Sequence, residues 1–536
     1  MVDLKTTHSW SSFLEDSRLR KHLVDKVLPD FLMTRRWFGA KSANIKKHEI
    51  EIHLKYSFGG ELVHLLMIEV TFQTSNSDTY LLPLSFRMRE DFEPEGLIAN
   101  LDVNGNKGWL VDALHVPVIR EGLFRNVQEN LKLDVGSGTL DMERGSALTW
   151  KPGEELVSKL LNAEQSNSTI VFNDKYYLKI YRKLYRGLNP DFEVSRFLSE
   201  KTGFHNTPAY CGSVTWNKPG FYKVTLGLMQ LKVDNQGDAW PYFLGRVEAY
   251  FRRLQASGLA PTDLAKVPLY KPLNASKLPE PYPALIGEDT IQALQLLAKR
   301  TVELHLALFL DRSDTAFTPI PYSEDYKVWL LNRILYMLDH RITTMESVMP
   351  NLSPQARVYA EEFLARKVEV KNRILSFDES HLNSSRIRIH GDFHLGQILR
   401  TEEDFYFLDF EGEPEATIRD RKVKHSPLKD VAGLIRSFHY AVFATIFGDH
   451  NFKMSEENLA EAGGRYYRAI VAVFLDTYLN TAFDNGLNIG YYQEIDFLLR
   501  YHIFEKAIYE LGYELNSRPD WVIIPLKGLN QILNND

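Results

Sequence analysis

The chain has 536 residues, with Lys+Arg 63 against Asp+Glu 70, 44% hydrophobic and 25% charged residues. That length exceeds one simple domain, and the nearly balanced, slightly acidic charge excludes recruitment of nucleic acid or an anionic membrane by net charge. The single cysteine, Cys211, excludes an internal disulfide and a thiolate metal site, which fits a reducing cytosol.

The first 20 residues hold no apolar run of signal-peptide length, and no later stretch approaches the roughly 20 apolar residues of a membrane-spanning helix. A cytoplasmic protein is expected. Next come three β-patterned segments, 51–56, 62–72 and 80–86, the last two separated by a polar turn at 74–78, and they predict a small β-rich first domain. After a break around Gly136 to Gly145, the segments 156–161, 169–172 and 176–181 read as short strands, and Pro190 opens a helix. Beyond about residue 233 helices dominate. The clearest covers 290–309, where Leu294, Leu297, Ala298, Thr301, His305 and Leu308 share one face, so His305 reads as a core histidine with satisfied nitrogens. Only 387–410 interrupts this half, with strand-like runs around a polar loop.

That interruption carries the chemistry. It reads His390-Gly391-Asp392-Phe393-His394-Leu395-Gly396-Gln397, then Phe405-Tyr406-Phe407-Leu408-Asp409-Phe410-Glu411-Gly412-Glu413-Pro414. An acid on a loop, an amide five residues on and an acid closing an apolar strand supply what phosphoryl transfer requires: a carboxylate for the attacking hydroxyl and oxygen ligands for Mg²⁺ on the phosphates of ATP. Asp392 is the expected base, with Gln397 and Asp409 as metal ligands. His390 is expected to brace the loop, and His394 to be structural.

Phosphoryl transfer also calls for a strand lysine, a helix acid to position it and a phosphate-covering turn. Lys179 in Tyr176-Tyr177-Leu178-Lys179-Ile180-Tyr181 and Glu193 after Pro190 meet the first two demands, with Lys175, Lys183 and Asp191 as alternatives. Gln165-Ser166-Asn167-Ser168 precedes Lys179 and could cover phosphates without glycine. Gly136-Ser137-Gly138 lies too far from Lys179 and reads as an ordinary turn.

The whole pattern resembles the protein-kinase-like fold, especially its aminoglycoside and choline kinase branch, with Gln397 where most members carry asparagine. The resemblance implies an α+β, two-lobed architecture: a cap domain over 1–130, a nucleotide-binding N-lobe over 131–232 and a helical C-lobe over 233–536. It also implies a hinge at Gln230, Leu231 and Lys232 offering backbone to adenine. Longer phrases narrow the likeness to the maltokinase family, which makes maltose 1-phosphate from ATP and maltose in trehalose-to-glycogen metabolism. They include Arg35-Arg36-Trp37-Phe38-Gly39-Ala40-Lys41, Glu164 to Ser168, Asn235-Gln236-Gly237-Asp238-Ala239-Trp240, Ser426-Pro427-Leu428-Lys429-Asp430-Val431-Ala432-Gly433, and Tyr509-Glu510-Leu511-Gly512-Tyr513-Glu514 with Arg518-Pro519-Asp520-Trp521.

The resemblance implies maltose as substrate and Lys506, Tyr509 and Tyr513 as sugar contacts, with Glu411 and Glu413 near the metals; a trehalose synthase is the implied partner. Lys506, Tyr509 and Tyr513 recur at helical spacing, so aromatic faces and a charge share one surface. Three rivals stand beside this reading: an amino-sugar or aminoglycoside kinase of the same fold, a metal hydrolase using His390-x-Asp392-x-His394, and an inactive binding module.

Overall fold

The computed structural model describes residues 2–534 apart from 75, 152, 162–165, 221, 311–312 and 449–450. Contacts divide it into two units, one of residues 1–201 and 208–233, the other of 202–207 and 234–536.

The first unit holds two seven-stranded sheets. One consists of β1 (Asp3–Thr6), β2 (Ile45–Phe58), β3 (Glu61–Phe72), β4 (Ser77–Arg87), β5 (Leu97–Val103) and β6 (Asn106–Asp112) in the order β1-β5-β6-β4-β3-β2, with β12 (Lys183–Leu184) on β4. The other consists of β7 (Lys132–Asp134), β8 (Thr139–Arg144), β9 (Ser158–Leu161), β10 (Asn167–Phe172), β11 (Tyr176–Tyr181), β13 (Tyr210–Lys218) and β14 (Tyr222–Leu231), in the order β7-β8-β13-β14-β11-β10-β9. Helices α1 (Ser17–His22) and α2 (Leu28–Thr34) belong to the first sheet's core, while α3 (Pro117–Gln128) and α4 (Pro190–Lys201) follow along the chain.

Strand β3 shows why the sequence folds this way. Its side chains alternate between two cores: Leu66, Ile68 and Val70 join Phe13, Leu28 and Phe38, whereas Val63, Leu65 and Met67 join Leu140, Ile170 and Trp216 of the second sheet. A strand buried on both faces must be apolar at nearly every position, and 62–70 is. The buried Arg182 ties these layers together through Asp112 (2.6 Å), Ser168 Oγ (2.8 Å) and the Trp37 ring (4.7 Å). Cys211 is fully buried, and burial pushes its thiol up to about 12.

The second unit is helical: α5 (Ala239–Ser257), α6 (Tyr282–Ile286), α7 (Glu288–Leu310), α8 (Glu324–Val348), α9 (Pro354–Ala365), α10 (Lys367–Leu375), α11 (Leu428–Phe447), α12 (Glu456–Asp484), α13 (Tyr492–Ser517) and α14 (Ile523–Leu533). Between them lie the short pairs β15 (Ile320–Pro321) with β16 (Ser385–Arg386) and β17 (Ile398–Arg400) with β18 (Phe405–Phe407). The α+β plan with a β-rich first lobe and helical second lobe is the one the sequence implies. Among the described residues, no helix is long and apolar enough to cross a membrane.

Candidate active site

The loop bearing Asp392 is held from below by α11. Asp430 is buried, and its two carboxylate oxygens accept from the backbone N–H of His390 (2.8 Å) and of Gly391 (2.9 Å). His305 on α7 bonds the same carboxylate through Nε2 (3.2 Å) and Tyr478 through Nδ1 (2.9 Å), so both of its nitrogens are satisfied, as a core histidine requires. Burial alone would raise the Asp430 pKa, but these hydrogen bonds and the nearby histidines outweigh it and hold the group below the usual carboxylate value.

A second brace crosses to the strand that ends at Asp409. His390 Nε2 donates to the Leu408 carbonyl (2.7 Å), and the Leu408 N–H donates to the Gln397 carbonyl (2.9 Å). Gly391 (φ 86°) and Gly412 (φ 74°) approach so closely that a Cβ on Gly391 would lie 3.2 Å from the Gly412 Cα. Gln397, Asp392 and Asp409 thus emerge from three segments knit together by backbone contacts. Asp409 adopts φ 62°, a left-handed conformation that aspartate and asparagine tolerate better than most residues.

Lys506 on α13 reaches Asp392 directly. Its Nζ lies 2.9 Å from Asp392 Oδ1 and 3.9 Å from Glu413 Oε1, over the Tyr509 ring at 4.5 Å. Burial would push the Asp392 carboxyl up, but Lys506, followed by His394, overrides it and keeps Asp392 ionised below its ordinary 3.8. His394 caps the short turn before Gln397, accepting from Gly396 N–H at Nδ1 (3.1 Å), and burial lowers its pKa, which suits the structural role. Glu413 is buried and paired with Arg333, which also meets Glu505 (3.1 Å); Lys429 (2.7 Å) and His502 (2.9 Å) complete that cluster. Glu411 is half-buried, 3.9 Å from Arg421, whose side chain also bonds the carbonyls of Pro414 and Ala416. Tyr513, at 49% exposed, lies one helical turn beyond Tyr509 beneath Arg518.

In the first unit, Lys179 Nζ sits 3.2 Å from Asp191 Oδ2, which also accepts from the Tyr181 hydroxyl (3.0 Å). Asp191 is the alternative that the sequence offered beside Glu193, which lies two residues on in the same helical turn. Lys175 and Lys183 are engaged elsewhere, with Thr149 (3.1 Å) and Asp78 (2.8 Å).

The expected nucleotide contacts have these partners. Gln165 lies outside the described residues. Ser166 is exposed, and its Oγ accepts from Asn167 Nδ2 (3.2 Å) as that residue starts β10. Ser168 is buried within β10 and bonded to Arg182, so it supports the sheet rather than covering phosphates. At the expected hinge, the N–H groups of Leu231 and Lys232 are already donated to Ala209 O (2.9 Å) and Lys175 O (2.8 Å), and the Gln230 amide points to Ser195 (3.3 Å). Those two N–H groups are engaged within the first unit.

Two positioning residues escaped the sequence reading. Asp430 and Gly433 were visible only as part of a phrase: Asp430 clamps the loop, and a Cβ on Gly433 would lie 2.7 Å from the Phe393 carbonyl. Gly433→Ala is therefore expected to displace the residue next to Asp392 and lower turnover about a hundredfold, although alanine favours the helix itself. Steady-state rates alongside circular dichroism check this.

A clamped acid loop, an amide and a second acid joined through a short hairpin, and a lysine–acid pair in an antiparallel sheet place the chain in the class of kinase-like folds. Within that class, residues 31–115 match the maltokinase N-terminal cap domain. The chain is 22% identical over 404 residues to a glucosamine kinase of Mycolicibacterium smegmatis (strain ATCC 700084 / mc(2)155), covering 75% of this chain and 86% of that one. It is 26% identical over 147 residues to a glucosamine kinase of Streptacidiphilus jiangxiensis, spanning 27% of this chain and only 32% of that protein. A solved glucosamine kinase in complex with glucosamine, ADP and inorganic phosphate aligns over 98% of this chain and 100% of its own, with TM-score 0.61 and 16% identity. Crystal form B of a glucosamine kinase aligns over 96% and 98%, with TM-score 0.60 and 16% identity.

Proposed function

We propose that this protein is an ATP-dependent sugar kinase whose acceptor is maltose, phosphorylated at its anomeric hydroxyl. The observation that carries the reading is the pairing of Lys506 with Asp392. It occupies Oδ1 and leaves Oδ2, 3.8 Å from His394 Nε2, as the oxygen for an acceptor hydroxyl. It also sets a cation, with an aromatic ring beneath it, beside the acceptor, and that suits a neutral sugar better than an ammonium-bearing one. The match of 31–115 to the maltokinase cap supports the same choice.

In this mechanism Asp392 Oδ2 orients the hydroxyl and receives its proton as the phosphoryl group leaves ATP. A carboxylate kept strongly ionised is a weak base, so the proton moves late, in keeping with a loose transition state. Lys506 holds Asp392 in place, Asp191 positions Lys179, and Lys179 neutralises charge on the phosphates. Gln397 and Asp409 offer only oxygen donors, which fit Mg²⁺, and they would hold it. Bound Mg²⁺ would offset negative charge on the phosphates. In this reading a trehalose synthase supplies the maltose, and the product feeds α-glucan or glycogen synthesis.

Similarity to glucosamine kinases favours one other acceptor, an amino sugar. Rates with labelled ATP on maltose, glucose, glucosamine and kanamycin separate the two. Turnover of maltose to maltose 1-phosphate is expected; turnover of glucosamine with none of maltose would overturn the assignment. Asp409→Asn keeps both shape and tolerance of positive φ, and it is expected to cost about 10² to 10³ in kcat with unchanged circular dichroism.

A further inference from the structure

The second unit contains a cavity of about 730 Å³ that shares no residue with the site described above. It lies among α9, the C-terminal half of α11, the first turns of α12, and α14, and its size falls within the range of small-molecule pockets. Aromatic side chains of Tyr359, Phe443 and Tyr467 form part of its wall.

Two of its cations are of an unusual kind. Arg468 and Lys527 are half-buried and line the cavity, yet among the described residues neither has a hydrogen bond or ion pair to a carboxylate. Lys527 rests instead on the rings of Phe443 (5.0 Å) and Tyr359 (5.5 Å). Burial pushes both groups below their ordinary values, and Glu456 acts on Lys527 without reaching ion-pair distance. Half-buried charge without a partner is costly, and an anion in the cavity would relieve that cost.

His439 supplies a third donor. It is 3% exposed, and its Nδ1 faces Arg436 Nη1 at 3.3 Å. Because arginine only donates, Nδ1 is the acceptor and the ring proton resides on Nε2, which has no partner among the described residues. The lining also carries Lys266 and Glu456, an Arg465–Glu461 ion pair (2.7 Å), and Glu457, Asn458, Gln355 and Gln531, carboxylates and amides of the kind that bind hydroxyls.

We propose that this cavity is an accessory site for a small phosphorylated sugar, with Arg468, Lys527 and the His439 Nε2–H holding the phosphate. The amides and acids take the hydroxyls, and an aromatic wall faces the ring. The planar guanidinium of Arg468 suits bidentate phosphate contact. The site connects to the catalytic loop through one rigid element: His439 lies nine residues along α11 from Asp430, about 14 Å.

Gly464 provides a clean block. A Cβ there would meet nothing within 4 Å, so a larger side chain enters the cavity while the helix gains propensity. Isothermal titration calorimetry of the full chain with glucose 1-phosphate, glucose 6-phosphate, inorganic phosphate and maltose tests the proposal without depending on turnover or on the acceptor assigned above. Saturable binding of at least one of the two sugar phosphates is expected, weakened about tenfold to a hundredfold by Arg468→Gln. Gly464→Leu is expected to abolish it, and both variants should keep the circular dichroism and probe-free kinase rate of the parent. The proposal fails if neither sugar phosphate binds saturably, if both variants bind like the parent, or if inorganic phosphate alone binds as tightly as the sugar phosphates.

Discussion

Asp392→Asn is expected to lower kcat by about 10² to 10⁴, the usual contribution of a positioned general base. The substitution preserves the shape of the loop and its clamp, since Asp430 binds the backbone of His390 and Gly391 rather than the Asp392 side chain. It removes the charge that Lys506 meets at 2.9 Å, but Glu413 at 3.9 Å and the Tyr509 ring remain to hold that ammonium. ATP affinity in the variant should therefore stay within a few-fold of the parent; a normal kcat would remove Asp392 from the mechanism. The pH profile has a fixed sign. Asp392 has a depressed pKa in the folded chain, so the stability it contributes is present above 3.8 and is lost as pH falls through the lower folded value. Its acid limb in kcat/KM, which reports the free enzyme, should accordingly lie below 3.8 as well.

The second large effect is on stability. Arg436 on α11 is buried and gives Glu510 on α13 hydrogen bonds of 2.6 Å from Nη2 and 3.0 Å from Nε. Helix α14 closes over the pair at Gly528, where a Cβ would lie 2.2 Å from Arg436 Nη1. Glu510→Ala strands a buried guanidinium and should cost about 3 to 5 kcal/mol, read as a lowered midpoint in urea. Replacing both partners, Arg436→Met with Glu510→Leu, should restore most of the loss, because the penalty comes from an uncompensated charge and not from a missing attraction. Equal loss in the single and double variants would contradict this account.

Much of the site was legible because its parts are local in sequence. Asp392, Gln397 and Asp409 fall within 18 positions, and the structure joins their segments through Leu408. Lys179 was readable from its place in an alternating strand, and α13 carries Lys506, Tyr509 and Tyr513 because helical spacing puts them on one face. The choice between Asp191 and Glu193 was not legible. Both acids occupy the first turn of α4, and the Asp191 contact with Lys179 follows from how that helix lies against β11. The partners of Ser168 and of the Leu231 and Lys232 N–H groups were not legible for a related reason. A hydroxyl or N–H in sequence carries no mark of whether Arg182 or a neighbouring strand already uses it.

The amino-acid order by itself determined the α+β division, the acid–amide–acid phrase and the lysine strand, because each depends on periodicity or spacing within a few turns of chain. Tertiary structure alone decided which groups meet over long separations. Lys506 reaches Asp392 across 114 positions, Asp430 grips the loop from 40 residues away, and Arg182 meets Asp112 across 70. Such pairings follow from how helices and sheets bury their apolar faces, and a buried charge then takes whichever partner that packing delivers.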